Sequence, residues 1–271
     1  MGKVFLIASG KGGTGKSIFA SNMGALLAER GKGVVLVDMD MGLRTLDIYM
    51  GLESKVVYNV YDVISGMCRI KQALIKDKRF ENLYLMAAAP HRDDGEITML
   101  HIKVLCRKLA EKFDYVIIDA PAGIDDGFIL STAGADKAVI VTTPEYAAVR
   151  DAEMVDKVLT DVGIKEKCYV INKVRPELMV GGAMPSISEI DSILRMPFAG
   201  IIQYDDNIHI AANNGLPIVF KKDSYIYENM EKIRIAEGIL LKADPASQTV
   251  TDKLFRLMEN MVTYSDNESF N

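Results

Sequence analysis

Tryptophan is absent from the 271 residues, and cysteine and histidine occur three times each. Cys68, Cys106 and Cys168 lie far apart with no CxxC pair. That excludes a zinc knuckle, an intrachain iron–sulfur site and a disulfide framework, and it fits a reducing cytosol. His91, His101 and His209 are isolated, and none stands at metal-ligand spacing with another histidine or a cysteine. Long apolar runs are missing as well. The opening stretch Val4-Phe5-Leu6-Ile7-Ala8 breaks at Ser9-Gly10, too short for a signal-peptide core and far below the ~20 residues of a membrane span. There is no surplus of positive charge: 32 Lys+Arg against 37 Asp+Glu leave a formal charge of -5, which argues against a general nucleic-acid binder that blankets phosphates with cations.

What is present is an ordinary globular composition, 49% hydrophobic and 25% charged, enough to bury a core in one large domain. Short β-branched runs alternate with helical patterns: Val4–Ala8, Val34–Asp38, Leu83–Ala87, Tyr115–Asp119, Ala138–Thr142, Tyr169–Asn172 and Phe198–Ile202. Val34-Val35-Leu36-Val37 and Val116-Ile117-Ile118 are apolar at every position, as expected of parallel strands covered by helices on both faces. The fold class is therefore α/β, a doubly wound and mostly parallel sheet. A helix over Lys16–Arg30 is expected to show a stripe of Phe19, Met23, Leu26 and Leu27, with Gly31 as its C-terminal cap. Residues 1–242 form the domain, Ser224–Leu241 its last packing helix, 243–251 a linker marked by Pro245, and 252–271 a C-terminal segment. The short charge runs Lys165-Glu166-Lys167 and Lys221-Lys222 are expected on solvated turns.

Directly after the first strand stands Gly10-Lys11-Gly12-Gly13-Thr14-Gly15-Lys16-Ser17, followed by Ile18. This is G-x-x-x-x-G-K-[ST] between a strand and a helix, the context a phosphate loop requires. The glycines let successive backbone N–H groups face a phosphate, the helix N-terminus adds its positive end, Lys16 reaches the β/γ oxygens, and the Ser17 hydroxyl can ligate Mg²⁺. Lys11 is surplus to that scheme: a second ammonium beside Lys16 is repelled unless an anion lies between them or Lys11 points elsewhere. Asp38 and Asp119 each close an apolar strand at the edge where open α/β sheets bind ligands. One such acid alone serves equally as a helix cap; two beside a phosphate loop point to Mg²⁺.

These pieces resemble the deviant Walker A ATPases of the MinD/ParA group, and most closely its septum-positioning branch. The resemblance spans about residue 3 to about 242. It rests on the phosphate loop, on Asp38-Met39-Asp40-Met41-Gly42-Leu43-Arg44-Thr45-Leu46-Asp47, on Asp119-Ala120-Pro121-Ala122-Gly123-Ile124, on Pro144-Glu145 with Val149-Arg150-Asp151-Ala152, and on Asn172-Lys173-Val174-Arg175-Pro176. It implies an ATP-bound homodimer in which Lys11 crosses to the partner's phosphates. Asp40 would orient the attacking water, Asp38 and Asp119 would support Mg²⁺, and Asn172 would bond the adenine. It further implies regulatory partners of the MinC and MinE kind and a peripheral place at the inner membrane face. A DNA-partitioning role of the same fold is disfavoured by the acidic charge. The pattern also admits a flagellar-number regulator, a reductase component with a bridging iron–sulfur cluster, and a scaffold that binds ATP without turnover.

Three features depart from the group's pattern. Ile18 stands where a second hydroxyl residue is usual, and Ile202-Gln203 replaces Ile-Pro. The tail is amphipathic through Leu254, Leu257, Met258 and Met261, yet 252–271 holds two basic and four acidic residues. An anionic leaflet repels that balance, so weak insertion, docking on its own domain and partner binding all stay open.

Overall fold

The computed structural model describes residues 1–41, 43–89, 97–220 and 230. Gly42, His91, Lys221-Lys222, the linker and the C-terminal segment lie outside the described residues, as does the expected helix at 224–241 except for Met230, which is helical and buried. Among the described residues eight strands form one sheet: β1 (Lys3–Ala8), β2 (Val34–Asp38), β3 (Ile75–Lys76), β4 (Leu83–Met86), β5 (Tyr115–Asp119), β6 (Lys137–Thr142), β7 (Glu166–Val174) and β8 (Phe198–Gln203), in the order β3-β4-β2-β5-β1-β6-β7-β8. All pairings are parallel except the short β3 against β4. The helices are α1 (Lys16–Glu29), α2 (Leu46–Tyr49), α3 (Val60–Ile64), α4 (Ile70–Ala73), α5 (Met99–Ala110), α6 (Asp126–Thr132), α7 (Tyr146–Asp161), α8 (Pro176–Val180), α9 (Ile187–Leu194) and α10 (Asp206–Asn213).

The uninterrupted apolar strands follow from two cores. Val4, Leu6 and Ala8 of β1 face a cluster shared with α5, α6, α7 and α9, whereas Phe5 and Ile7 face another shared with α1 and α2. Val35/Val37 against Val34/Leu36 repeat the division on β2. Side chains of successive residues point to opposite faces, so burial on both leaves no polar position. Each fully buried Leu or Ile contributes about 1.5–3 kcal/mol.

The single stripe expected of α1 is corrected by the packing. Ala20, Ser21, Asn22, Gly24, Ala25 and Ala28 are buried beside Phe19, Leu26 and Leu27, and only the last residue, Glu29, is exposed. The central helix is enclosed nearly all round, and small residues allow it: a Cβ on Gly24 would stand 2.6 Å from Leu36. Gly31 does follow the helix at a positive φ of 75°. The second correction concerns the charge run. Glu166 and Lys167 belong to β7, and Lys167 is mostly buried against Asp156 at 2.6 Å, while Glu166 pairs with buried Lys137 at 2.6 Å.

One side chain ties distant segments on the α1 side. Arg79 bonds Asp77 at 2.6 Å, the Met50 carbonyl at 2.6 Å and the Gly215 carbonyl at 2.7 Å. It thereby holds the end of α2, the approach to β4 and the turn after α10 together. Both α2 and α10 border the site.

Candidate functional site

The carboxyl ends of β1, β2, β5, β6 and β7 converge on the loop at residues 9–17. Gly15, at φ 91°, caps α1, and a Cβ there would lie 2.2 Å from Asn172 Nδ2. Asn172 can approach because of that missing atom: its Nδ2 donates to the Thr14 carbonyl at 2.7 Å, and Lys173 Nζ donates to the Gly13 carbonyl at 2.8 Å. Lys173 holds a left-handed φ of 59° to do so, a conformation a non-glycine residue adopts at some cost. Gly10 is pressed against α7, where a Cβ would meet Asp151 at 2.4 Å. The loop is thus clamped from β7 on one side and α7 on the other.

Inside it, Lys16 Nζ lies 2.8 Å from Asp119 Oδ1 and 3.4 Å from Ser17 Oγ. Lys16 is 6% exposed, and Asp119 and Asp38 are fully buried. Register puts Asp38 opposite Asp119 on neighbouring strands. Asp38 accepts from the Asp40 N–H at 2.9 Å and the Leu46 N–H at 3.2 Å, so it holds the start of α2 and the Asp40 loop to the sheet. Thr45 Oγ1 reaches Ser17 Oγ at 3.5 Å. The structure therefore brings Lys16, Ser17, Asp38, Asp40 and Asp119 into one centre. Asn172 sits on its flank, and Lys11 is turned away, with its ammonium 2.8 Å from Glu145 Oε2 at the start of α7.

Two buried carboxylates against one ammonium leave a dry centre short of positive charge. Burial first, then Asp119, push Asp38 up to about 7 against the pull of two backbone N–H groups and Lys16. Asp40, half-buried, is raised by desolvation with Asp119 adding to it, while Lys16 opposes. The folded protein then keeps a proton on Asp38 that the unfolded chain releases near pH 4. The contribution of Asp38 to stability falls as pH climbs from about 4 to about 7 and levels off above. Asp38→Asn is expected to flatten this slope in thermal melts between pH 4.5 and 8; an identical slope in both proteins would contradict the cause given.

Among the described residues no three His, Cys, Asp or Glu groups stand close enough to hold a metal by themselves. Magnesium does not ask for that: it keeps waters and takes one or two carboxylates plus substrate phosphates. The site fits such an ion bound with a nucleotide. Asp119 Oδ2 and Thr14 Oγ1 are buried without a hydrogen-bond partner, an acceptor on the carboxylate that meets Lys16 and a hydroxyl on the phosphate loop itself. Ser17, Asp38 and Asp119 would hold it, directly or through water.

The flank beyond Asn172 is a recess lined by Ile18, Phe19, Ile202, Gln203, Tyr204, Ile208, Ile218 and Met230, among others. Apolar walls with the polar Asn172 at the phosphate end suit a flat heterocycle.

The family model for ParA, described as NUBPL iron-transfer P-loop NTPase, matches residues 1–239. The chain belongs to this family of P-loop NTPases. Within it, the septum site-determining protein MinD of Bacillus subtilis is 43% identical over 89% of this chain and 92% of its own length, and that of Synechocystis is 44% identical over 82% and 84%. Among solved structures, the MinC:MinD cell division protein complex of Aquifex aeolicus superposes with TM-score 0.80 at 35% identity, over 87% of this chain and 96% of the other. The MinD of Pyrococcus horikoshii, complexed with Mg-ADP, does so with TM-score 0.76 at 26% identity, over 86% and 94%. The chain is thus of the septum-positioning MinD type within the family. Cys68, Cys106 and Cys168 are all buried, and burial raises Cys106 to about 12.

Sequence reasoning named the phosphate loop, Asp38, Asp40, Asp119 and Asn172 individually. It missed that Glu145 receives Lys11 and that Thr45 touches Ser17, although both lie in the motif stretches of the family.

Proposed function

We propose that the protein is an ATP-driven dimerising switch that helps to place the division septum. A nucleotide bound with Mg²⁺ takes Lys16 and Ser17 at its phosphates and Asn172 at its base. Ser17, Asp38 and Asp119 would hold the ion, which would offset charge on the phosphate oxygens, and that together with positioning is what phosphoryl transfer to water needs most. Asp40, on the loop held by Asp38, orients the attacking water. Lys11 of each copy completes the other's phosphate site, so hydrolysis waits on pairing. The paired form presents the surface read by a regulator of the kind bound in the Aquifex MinC:MinD complex, and hydrolysis dissolves it.

The observation that carries this reading is Lys11. Its loop position is beside the phosphates, yet its ammonium rests on an exposed carboxylate of the same subunit, free to be redirected toward a second copy. Light scattering after size exclusion tests it: a dimer is expected with Mg²⁺ and a nonhydrolysable ATP analogue and a monomer with ADP, with phosphate release per molecule rising with protein concentration. A monomer under both conditions would overturn it. Membrane association is part of the same proposal only through the tail. ATP-dependent sedimentation with anionic liposomes, comparing the full chain with one ending at Gln248, assigns it. Among the described residues no helix is long and apolar enough to cross a membrane.

A further inference from the structure

Tyr204 begins the segment after β8 and lines the recess beside the phosphate loop. Arg175, which follows β7, lays its guanidinium over one face of the ring, 4.2 Å from the centroid. The phenol donates to Asp206 Oδ1 at 2.9 Å, and the His209 ring stands 6.1 Å away, tilted by 50°. The ring is therefore held at three points: a cation on one face, a carboxylate at its hydroxyl and a second ring beside it. Tyr204 N–H also bonds the Val174 carbonyl at 2.8 Å, which ties its backbone to the strand that carries Asn172. A partly exposed tyrosine held in this way, at the mouth of an apolar recess, is costly to order for packing alone. An oriented aromatic face is what a nucleobase binds best.

We infer that Tyr204, braced by Arg175, is the stacking platform for the base of the nucleotide. This deepens the reading of the cleft as an ATP site and rests on it. Asn172 commits one amide N–H to the Thr14 carbonyl, which leaves its Oδ1 as an acceptor and its second N–H as a donor for the edge of the base. One hydrogen bond positions a base but contributes little affinity in water, about 1 kcal/mol. Stacking on an aromatic ring supplies the larger share and accepts any base with a π-face. The two residues divide the work: Asn172 positions the base through its edge, and Tyr204 provides affinity without reading the edge. The guanidinium over one face of the ring restrains it from turning and polarises it.

The experiment compares ATP, GTP and inorganic tripolyphosphate, each with Mg²⁺, on the full chain and on Tyr204→Ala and Tyr204→Phe. Tyr204→Ala is expected to weaken ATP and GTP together, roughly tenfold or more, and to leave tripolyphosphate unchanged; Tyr204→Phe restores binding. Because the protein contains no tryptophan, Tyr204→Trp adds a lone reporter whose emission is expected to be quenched by ATP and not by tripolyphosphate, which keeps the test intact should the alanine variant fold poorly. If the wild-type chain holds ATP no more tightly than tripolyphosphate, the base recess itself is misread and the inference falls with it. If the wild type prefers ATP while Tyr204→Ala keeps that preference and Tyr204→Trp shows no quenching, the inference alone is overturned.

Discussion

Lys11→Ala is expected to bind ATP within a few-fold of the wild type and to lose its concentration-dependent hydrolysis, by roughly 10³-fold where a cation supplied in trans carries the transition-state charge. The two halves of this expectation have separate causes. Lys11 Nζ lies on Glu145, away from Lys16 and Ser17, so removing it takes no contact from the phosphate site of its own subunit. The strength of that pairing decides what it does. Both side chains are substantially exposed, at 38% and 58%, and exposed pairs are worth about 0–1 kcal/mol. Glu145 is a resting place and no lock. It removes the repulsion between two neighbouring ammonium groups while the subunit is alone and yields when a phosphate of a second copy presents a denser charge. Phosphate release measured against protein concentration, with a separate binding titration, checks both halves. Turnover equal to the wild type at high concentration would remove Lys11 from the chemistry.

That outcome was half legible in the sequence. The pattern from Gly10 to Ser17 specifies what each atom faces, because a phosphate loop works through backbone N–H groups and glycine spacing. A surplus lysine within it had either to meet an anion or to point elsewhere. Which anion was not readable: Glu145 lies 134 positions away, and only the closure of β6 and α7 against β1 brings it near. The same distinction holds for the fold. Strands apolar at every position announced a two-faced parallel sheet, since burial of both faces writes itself into each residue. The α1 stripe misled because period-3.6 reasoning assumes one wet face, and small residues such as Ala20, Gly24 and Ala25 hide contact that hydrophobic counting does not weigh. The two-residue β3 left no pattern at all; it exists because Asp77 and Arg79 turn the chain back onto β4. Lys167 read as solvent-facing because its partner Asp156 is on α7, eleven residues earlier.

The electrostatic centre yields the larger effect on the fold itself. Lys16→Met removes the ammonium bonded to Asp119, leaving two fully buried carboxylates on adjacent strands. Breaking a buried pair from one side costs about 3–5 kcal/mol, because the remaining charge has neither water nor partner. For a domain of this size the melting midpoint is expected to fall by about 10 °C at pH 8. The sign of the pH dependence then separates electrostatics from lost packing. Lys16 is one of the groups that hold Asp38 down to about 7; without it Asp38 climbs further, so the deficit is largest where wild-type Asp38 is ionised and shrinks as pH falls from 8 through about 7, below which both proteins carry the proton. A packing defect would stay constant across that range. Lys16→Met combined with Asp119→Asn is expected to recover most of the stability at pH 8 while nucleotide binding stays lost, since the amide relieves the charge without replacing the cation at the phosphates. Melting curves of the single and double variants from pH 5 to 8 decide it: a pH-independent loss, or a double variant no more stable than the single one, would mean that the centre is held by packing and not by the balance of one ammonium against two carboxylates.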